Sequence, residues 1–174
     1  MIIGCSGSGK STLARKLADL TGLPLIHLDR EYWRPGWVEP DKLEWLAAVR
    51  AVAARPRWII DGNYSASLGI RVAAADTVIF LDFPRWVCLW SVLCRSAIGY
   101  GRKREDTAEG CPERIDRDFY LYVWRWRRNS RPRTLAAIEN FPGKLVILRS
   151  RDDVAGFVAR LNRGLQNDES KKIR

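Results

Sequence analysis

Polar and apolar positions along the chain fall into two alternating rhythms. Short apolar runs stand at Met1-Ile2-Ile3, Leu25 to Leu28, Trp58-Ile59-Ile60, Val78-Ile79-Phe80-Leu81 and Leu145-Val146-Ile147-Leu148. Runs of this length suit strands buried on both faces of a parallel sheet. Between them, apolar residues recur at three- and four-residue spacing. Leu13, Ala14, Leu17, Ala18 and Leu20 predict a helix from about Lys10, closed by the turn at Gly22 and Pro24. A second helix is expected over Asp41 to Arg55, with Leu43, Leu46, Ala47, Val49 and Ala53 as its face and Pro56 as its stop. Further helices are expected over Ser65 to Ala75, Pro84 to Ile98 and Glu113 to Arg128. Pro132 marks a break or a new start, and a last helix, capped by Asp152, is expected to run to Leu165. Residues 29–40 read as a loop. Tyr100 to Pro112, charged and framed by Gly99, Gly101 and Gly110, reads as a mobile lid, and 167–174 as a polar, frayed tail.

Strands alternating with helices predict an α/β fold: a parallel sheet covered on both faces, with ligands at the carboxyl ends of its strands. The 174 residues suffice for one domain, placed at 1–166. The first strand runs straight into a glycine-rich loop, so no signal peptide is expected. The longest apolar run, Trp86 to Cys94, is too short to span a bilayer. Four scattered cysteines show neither zinc spacing nor a disulfide framework, which fits a reduced cytoplasmic protein. Eight tryptophans are many for this length and read as core and cleft material.

The most informative stretch is Gly4-Cys5-Ser6-Gly7-Ser8-Gly9-Lys10-Ser11-Thr12, a full match to G-x-x-x-x-G-K-[ST]. Its backbone N–H groups and the helix start behind them would cradle the phosphates of ATP. Lys10 would reach the β- and γ-phosphates, and the Ser11 hydroxyl would ligate Mg²⁺. A phosphate loop alone signifies nucleotide binding, so the use made of the nucleotide must be sought at the other strand ends. Three carboxylates are expected there. Asp61 is the metal-side candidate, or else a turn-forming Asp-Gly pair. Asp82 could serve the site or cap the next helix. Asp29 could accept the proton of a hydroxyl acceptor, or orient a phosphate acceptor. The lone histidine, His27, reads as packed within its strand rather than catalytic.

The net charge is +10, and half of that excess lies between Arg95 and Arg133, where eleven Lys/Arg face six Asp/Glu. Such a surface could bind nucleic acid, or supply arginines that clamp a transferring phosphoryl group. The candidates for that clamp are Arg71, Arg95, Arg102, Arg104, Arg114, Arg125, Arg128 and Arg131. Of these, Arg71, Arg95 and Arg128 join Lys10 and Asp29 as the catalytic set. Tyr32, Trp33 and Trp37 could stack on an acceptor ring or simply pack their loop.

Beyond the loop, several stretches resemble the bacterial topology-modulation proteins, relatives of adenylate kinases among the P-loop nucleoside-triphosphate-using proteins. They are Gly7 to Ala14, Ile26 to Asp29, Pro35 to Trp37, Trp58 to Ser65, Ala75 to Arg85, Ala108 to Arg114 and Ser130 to Arg133. The resemblance implies a three-layer α/β/α fold with a five-stranded sheet in the order 2-3-1-4-5 and a short lid at about 99–113. It also implies a metal-associated Asp61. In adenylate kinases an arginine after the strand-three Asp-Gly grips the acceptor phosphate. Here Asn63-Tyr64-Ser65 takes that place, and Arg71 is the available substitute.

Two functions are therefore expected. One is a cytoplasmic kinase using Mg–ATP to phosphorylate a nucleotide or nucleoside-like acceptor. The other is an ATP-binding regulator acting on DNA topology through its basic face, with little turnover.

Overall fold

The computed structural model describes residues 1–102 and 105–172, the stretch 168–172 as backbone. Strands β1 (Ile2–Gly4), β2 (Leu25–His27), β3 (Ile59–Asp61), β4 (Thr77–Leu81) and β5 (Lys144–Leu148) pair in parallel in the order β2-β3-β1-β4-β5. Register is set across the centre by Ile2 opposite Asp61 and Ile79, and at the edges by Ile26 opposite Ile60 and Phe80 opposite Ile147. The central strands are almost wholly buried, as their unbroken apolar runs require.

Eight helices surround the sheet among the described residues: α1 (Lys10–Thr21), α2 (Leu28–Tyr32), α3 (Lys42–Ala53), α4 (Leu68–Ala74), α5 (Arg85–Ile98), α6 (Arg117–Asn129), α7 (Arg131–Ile138) and α8 (Arg151–Lys172). One core gathers Ile2, Ile3, Leu13, Phe80, Val123 and Trp126 around β1 and β4. A second joins Ile26, Leu28 and Ile60 to Trp45, Val49 and Val52 of α3. The second core lies under the β2–β3 side and gives that side its own footing.

Several expectations change. The chain does not enter a loop at Asp29. Leu28, 1 % exposed, anchors α2, and Asp29 falls in its first turn. The buried face of α3 is Trp45, Val49, Val52 and Ala53, while Leu43 is 75 % exposed. The bulkiest residue, Trp45, decides which face turns inward. Helix α6 starts at Arg117, four residues later than expected, where the Asp116 carboxylate accepts from the Phe119 N–H. The cap of α8 is Ser150 rather than Asp152. The Ser150 hydroxyl accepts from the Asp153 N–H, and the Asp153 carboxylate accepts from the N–H groups of Arg149 and Ser150. No glycine or proline interrupts residues 167–172, and α8 continues to Lys172 where a frayed tail was expected. Residues 173 and 174 lie outside the described residues.

The 99–113 segment also differs from a free flap. Its ends are tied together by Gly101 N–H to Glu113 O and Glu113 N–H to Arg102 O, both 2.9 Å. Thr107, Ala108, Cys111 and Glu113 are buried. The tight turn at Arg34–Val38 docks on it: Gly36 N–H donates to Gly110 O at 2.9 Å, Cys111 Sγ to Arg34 O at 3.2 Å, and Trp37 Nε1 to Pro112 O at 3.1 Å. The expected lid residues 103 and 104, and with them Arg104, lie outside the described residues. The tryptophans divide as well. Trp45 and Trp126 are core, whereas Trp86 and Trp90 of α5 are 61 % and 68 % exposed.

Candidate active site

At the carboxyl ends of the strands lies a cleft of about 1010 Å³. Its floor on one side is the loop from Ser6 to Thr12. Gly7 has φ +82°, and a Cβ there would stand 2.3 Å from the Cys88 carbonyl oxygen, so only glycine lets the loop lie down on α5. Gly9 has φ +89° with nothing within 4 Å of its missing Cβ, which leaves the backbone open toward the cleft. Gly9 is also the N-cap of α1 and contributes no side-chain cap, and the first turn carries no acidic residue. The leading N–H groups of a twelve-residue helix therefore face the cleft without an internal anion. Ser8 is 4 % exposed, and its Oγ has no hydrogen-bond partner. An uncapped helix start, an orphaned hydroxyl and a glycine-bare surface together fit a phosphate. Lys10 Nζ donates to Cys5 O at 3.0 Å beside it. Gly4 and Cys5 lie beneath the loop and do not line the cleft. The Cys5 thiol is held protonated by its hydrogen bond with Cys88 and by burial, so it is inert.

The opposite side is built from separated segments. Asp61, 3 % exposed at the end of β3, lies 2.6 Å from His27 Nδ1 at the end of β2, and both line the cleft. Histidine thus has a polar role beyond packing: it orients the carboxylate expected on the metal side. Asp29 also lines the cleft and accepts from the Tyr64 hydroxyl at 2.7 Å. Tyr64 has φ +24° and ψ 82°, an unfavourable backbone for a residue with a ring. Its surroundings hold it there. Its ring packs 4.5 Å from Tyr32 and 5.1 Å from Trp45, and its carbonyl accepts from Ser67 Oγ and Arg71 Nη2. Burial and the neighbouring Asp29 charge push the Tyr64 hydroxyl far up, so it remains a donor. Ser11, with Asp61 across the cleft, offers the hydroxyl and carboxylate that Mg²⁺ takes alongside phosphate and water. Among the described residues, no group of three or more His, Cys, Asp or Glu could by itself hold a metal.

The arginines sort sharply. Arg95 lines the cleft and pairs with buried Glu113 at 2.9 Å. Arg71 does not line it. Wholly buried, its guanidinium donates to the carbonyls of Gly62 (2.9 Å), Asn63 (2.7 Å) and Tyr64 (3.1 Å). Burial lowers it to about 10, which leaves it charged at neutral pH. The expected substitute for an acceptor-phosphate arginine is instead a clamp on the turn after β3. Arg128 lies elsewhere too, in a shallow groove of about 440 Å³ with Arg85, Trp86, Trp124 and Arg127. Arg131 grips Asp82 through two 2.7 Å bonds. Asp82 therefore neither caps α5 nor enters the site; it ties the end of β4 to α7. Among the lining residues to which the sequence assigns no role are Tyr64, Asp116 and Arg151. The signal for Tyr64 is its place three residues past a strand-end aspartate. Nothing in the sequence points to Arg151.

The chain matches no protein-family profile and no curated protein in sequence. Among solved structures, a deoxyadenosine kinase from M. mycoides, determined with bound dCTP, aligns over 93 % of this chain and 97 % of its own. The identity is 13 % and the TM-score 0.47, a likeness too distant to inform the function.

Proposed function

We propose that the protein is a Mg–ATP-dependent phosphotransferase of the cytoplasm, acting on a nucleotide or nucleoside-like acceptor. One observation carries the reading. The uncapped start of α1, with its glycine loop and orphaned Ser8 hydroxyl, opens on the same cleft as two carboxylates, Asp29 in the first turn of α2 and Asp61 at the end of β3. The loop N–H groups would hold the triphosphate, and Lys10 would shift from Cys5 O to the phosphate oxygens. Ser11 and Asp61 would hold Mg²⁺, which when bound neutralises phosphate charge. Asp29 and Arg95 line the same cleft and would face the moving group. Arg71 supports the reading only by shaping the turn at 62–64, and Arg128 takes no part in it. Incubation with Mg–ATP and a panel of acceptors, with ADP as the readout, tests it. Acceptor-dependent ADP should fall by about 10²–10³ in Lys10→Ala.

A second reading, an ATP-binding regulator that contacts DNA, has its own observation. Arg85 stacks 4.3 Å over Trp124 and 5.1 Å over Trp86, with Arg127 and Arg128 alongside. DNA binding that weakens steeply with salt, together with silence across the acceptor panel, would favour it. Among the described residues, no helix is long and apolar enough to cross a membrane.

A further inference from the structure

We propose that the acceptor is a nucleoside, phosphorylated at a hydroxyl, and that Asp29, held by Tyr64, is the base that takes its proton. The inference rests on the phosphotransfer reading above and narrows it. Three observations lead to it. First, an acceptor that already bears a phosphate needs a cation to receive it, and the residue best placed in sequence, Arg71, is buried with both terminal nitrogens on backbone carbonyls. Among the described residues, the two other arginines lining that side have carboxylate partners: Arg95 with Glu113 and Arg114 with Asp116, both at 2.9 Å. Second, the groups facing the acceptor side include the carboxylates Asp29 and Glu39. An incoming phosphate dianion would meet like charge there, while a hydroxyl would meet an acceptor for its proton. Third, three aromatic side chains, Tyr32, Trp33 and Trp37, line the same wall, and aromatic rings are the groups on which a base stacks.

The strained turn explains how the base is held. Arg71 fastens the carbonyls of 62–64, the turn forces Tyr64 to φ +24°, and the Tyr64 hydroxyl then donates to Asp29. Strain retained at a cleft residue and locked by its neighbours is what a positioning device requires. In the step itself, the nucleoside O–H bond breaks and its proton passes to Asp29. The oxygen forms the new O–P bond. The bond between the γ-phosphorus and the β–γ bridging oxygen breaks, and its electron pair leaves on ADP. Tyr64 acts through Asp29 and is a positioning residue.

The test uses the full chain with Mg–ATP and three acceptor sets: ribo- and deoxyribonucleosides, their 5′-monophosphates, and ring-free polyols. ADP is measured, and ATP binding is read separately by thermal shift. The expected result is nucleoside-dependent ADP with kcat/KM at least about 100-fold above the matching monophosphate. Asp29→Asn should lower kcat by about 10²–10⁴ while leaving the ATP-induced thermal shift intact. Tyr64→Phe removes a donor to the carboxylate, so the acid limb of its kcat/KM profile should move to higher pH. A merely structural tyrosine would lower activity without moving that limb. Turnover with monophosphates or polyols but not nucleosides overturns this inference and leaves the phosphotransfer reading standing. ATP binding with no acceptor-dependent ADP from any set overturns both.

Discussion

The two sides of the cleft are made by different means. The proposed phosphate side is seven consecutive residues, Ser6 to Thr12, whose geometry is dictated by backbone: two left-handed glycines, Gly7 and Gly9, and a helix start without a cap. The acceptor side is assembled from the ends of β2 and β3, the turn at 34–38 and the segment 106–116, stitched by side chains. Its bonds join residues from different segments: Tyr64 to Asp29, Arg71 to the 62–64 carbonyls, Cys111 to Arg34 and Trp37 to Pro112. The first side should be most sensitive at its left-handed glycines, Gly7 and Gly9. The second should lose its shape when any one stitch is cut. Adding a Cβ on the first and cutting a stitch on the second therefore gives the clearest contrast.

The largest effect is expected on the phosphate side. Gly7→Ala places a Cβ 2.3 Å from the Cys88 carbonyl and 2.8 Å from Val92 Cγ2, at φ +82°. Strain and overpacking together should cost about 4 kcal/mol. Urea denaturation would measure it, and the stabilisation by ATP, about 2.7 kcal/mol at 100 times Kd in the parent, should disappear as well. An unchanged ATP-induced shift would mean that the loop is not the phosphate site.

A smaller but still large effect is expected on the other side. Arg71→Met keeps much of the buried volume and deletes the guanidinium, taking a donor from three carbonyls, of which that of Tyr64 keeps the Ser67 N–H and hydroxyl. Relief of a buried charge offsets part of that loss, and about 3 kcal/mol of destabilisation remains. The comparison predicts a split: acceptor-dependent turnover should collapse while the ATP-induced thermal shift survives. If both fail together, the two sides are not separable.

The same contrast governs what is legible in the sequence. The strands, the sheet and the phosphate loop depend on local signals, apolar runs and glycine spacing. Even the position of Asp61 at a strand end is readable from Trp58-Ile59-Ile60. Pairing across distance is not. Arg71 reads as a free cation because nothing local says that it folds back on 62–64. Asp82 reads equally as a site residue or a cap because its partner, Arg131, is 49 residues away. Thr107 and Cys111 sit in a charged, glycine-framed segment with the look of a mobile lid, yet they are buried because the 34–38 turn packs on that segment. Trp86 and Trp90 count as core or cleft material on composition alone, whereas the periodicity of α5 turns them outward.

The smallest effect concerns Asp116, which caps α6 at the edge of the acceptor side. Its carboxylate accepts from the Phe119 N–H at 3.0 Å and pairs with Arg114 at 2.9 Å. The Phe119 N–H, and after it Arg114, hold its carboxyl below the ordinary carboxylate range, against a partial opposition from burial. Asp116→Ala should cost about 1 kcal/mol at neutral pH, the usual loss for a cap. The sign of its pH dependence comes from the depressed value. The folded state binds its proton less readily than the unfolded chain, so the contribution is complete above the unfolded carboxylate value of about 3.9. It fades as pH falls through that value and then through the lower folded one. Paired thermal melts of parent and variant should therefore differ at pH 7, converge below about pH 4, and show no extra loss of ATP binding. A difference that persists undiminished into strong acid would mean that Asp116 acts through packing rather than through its charge.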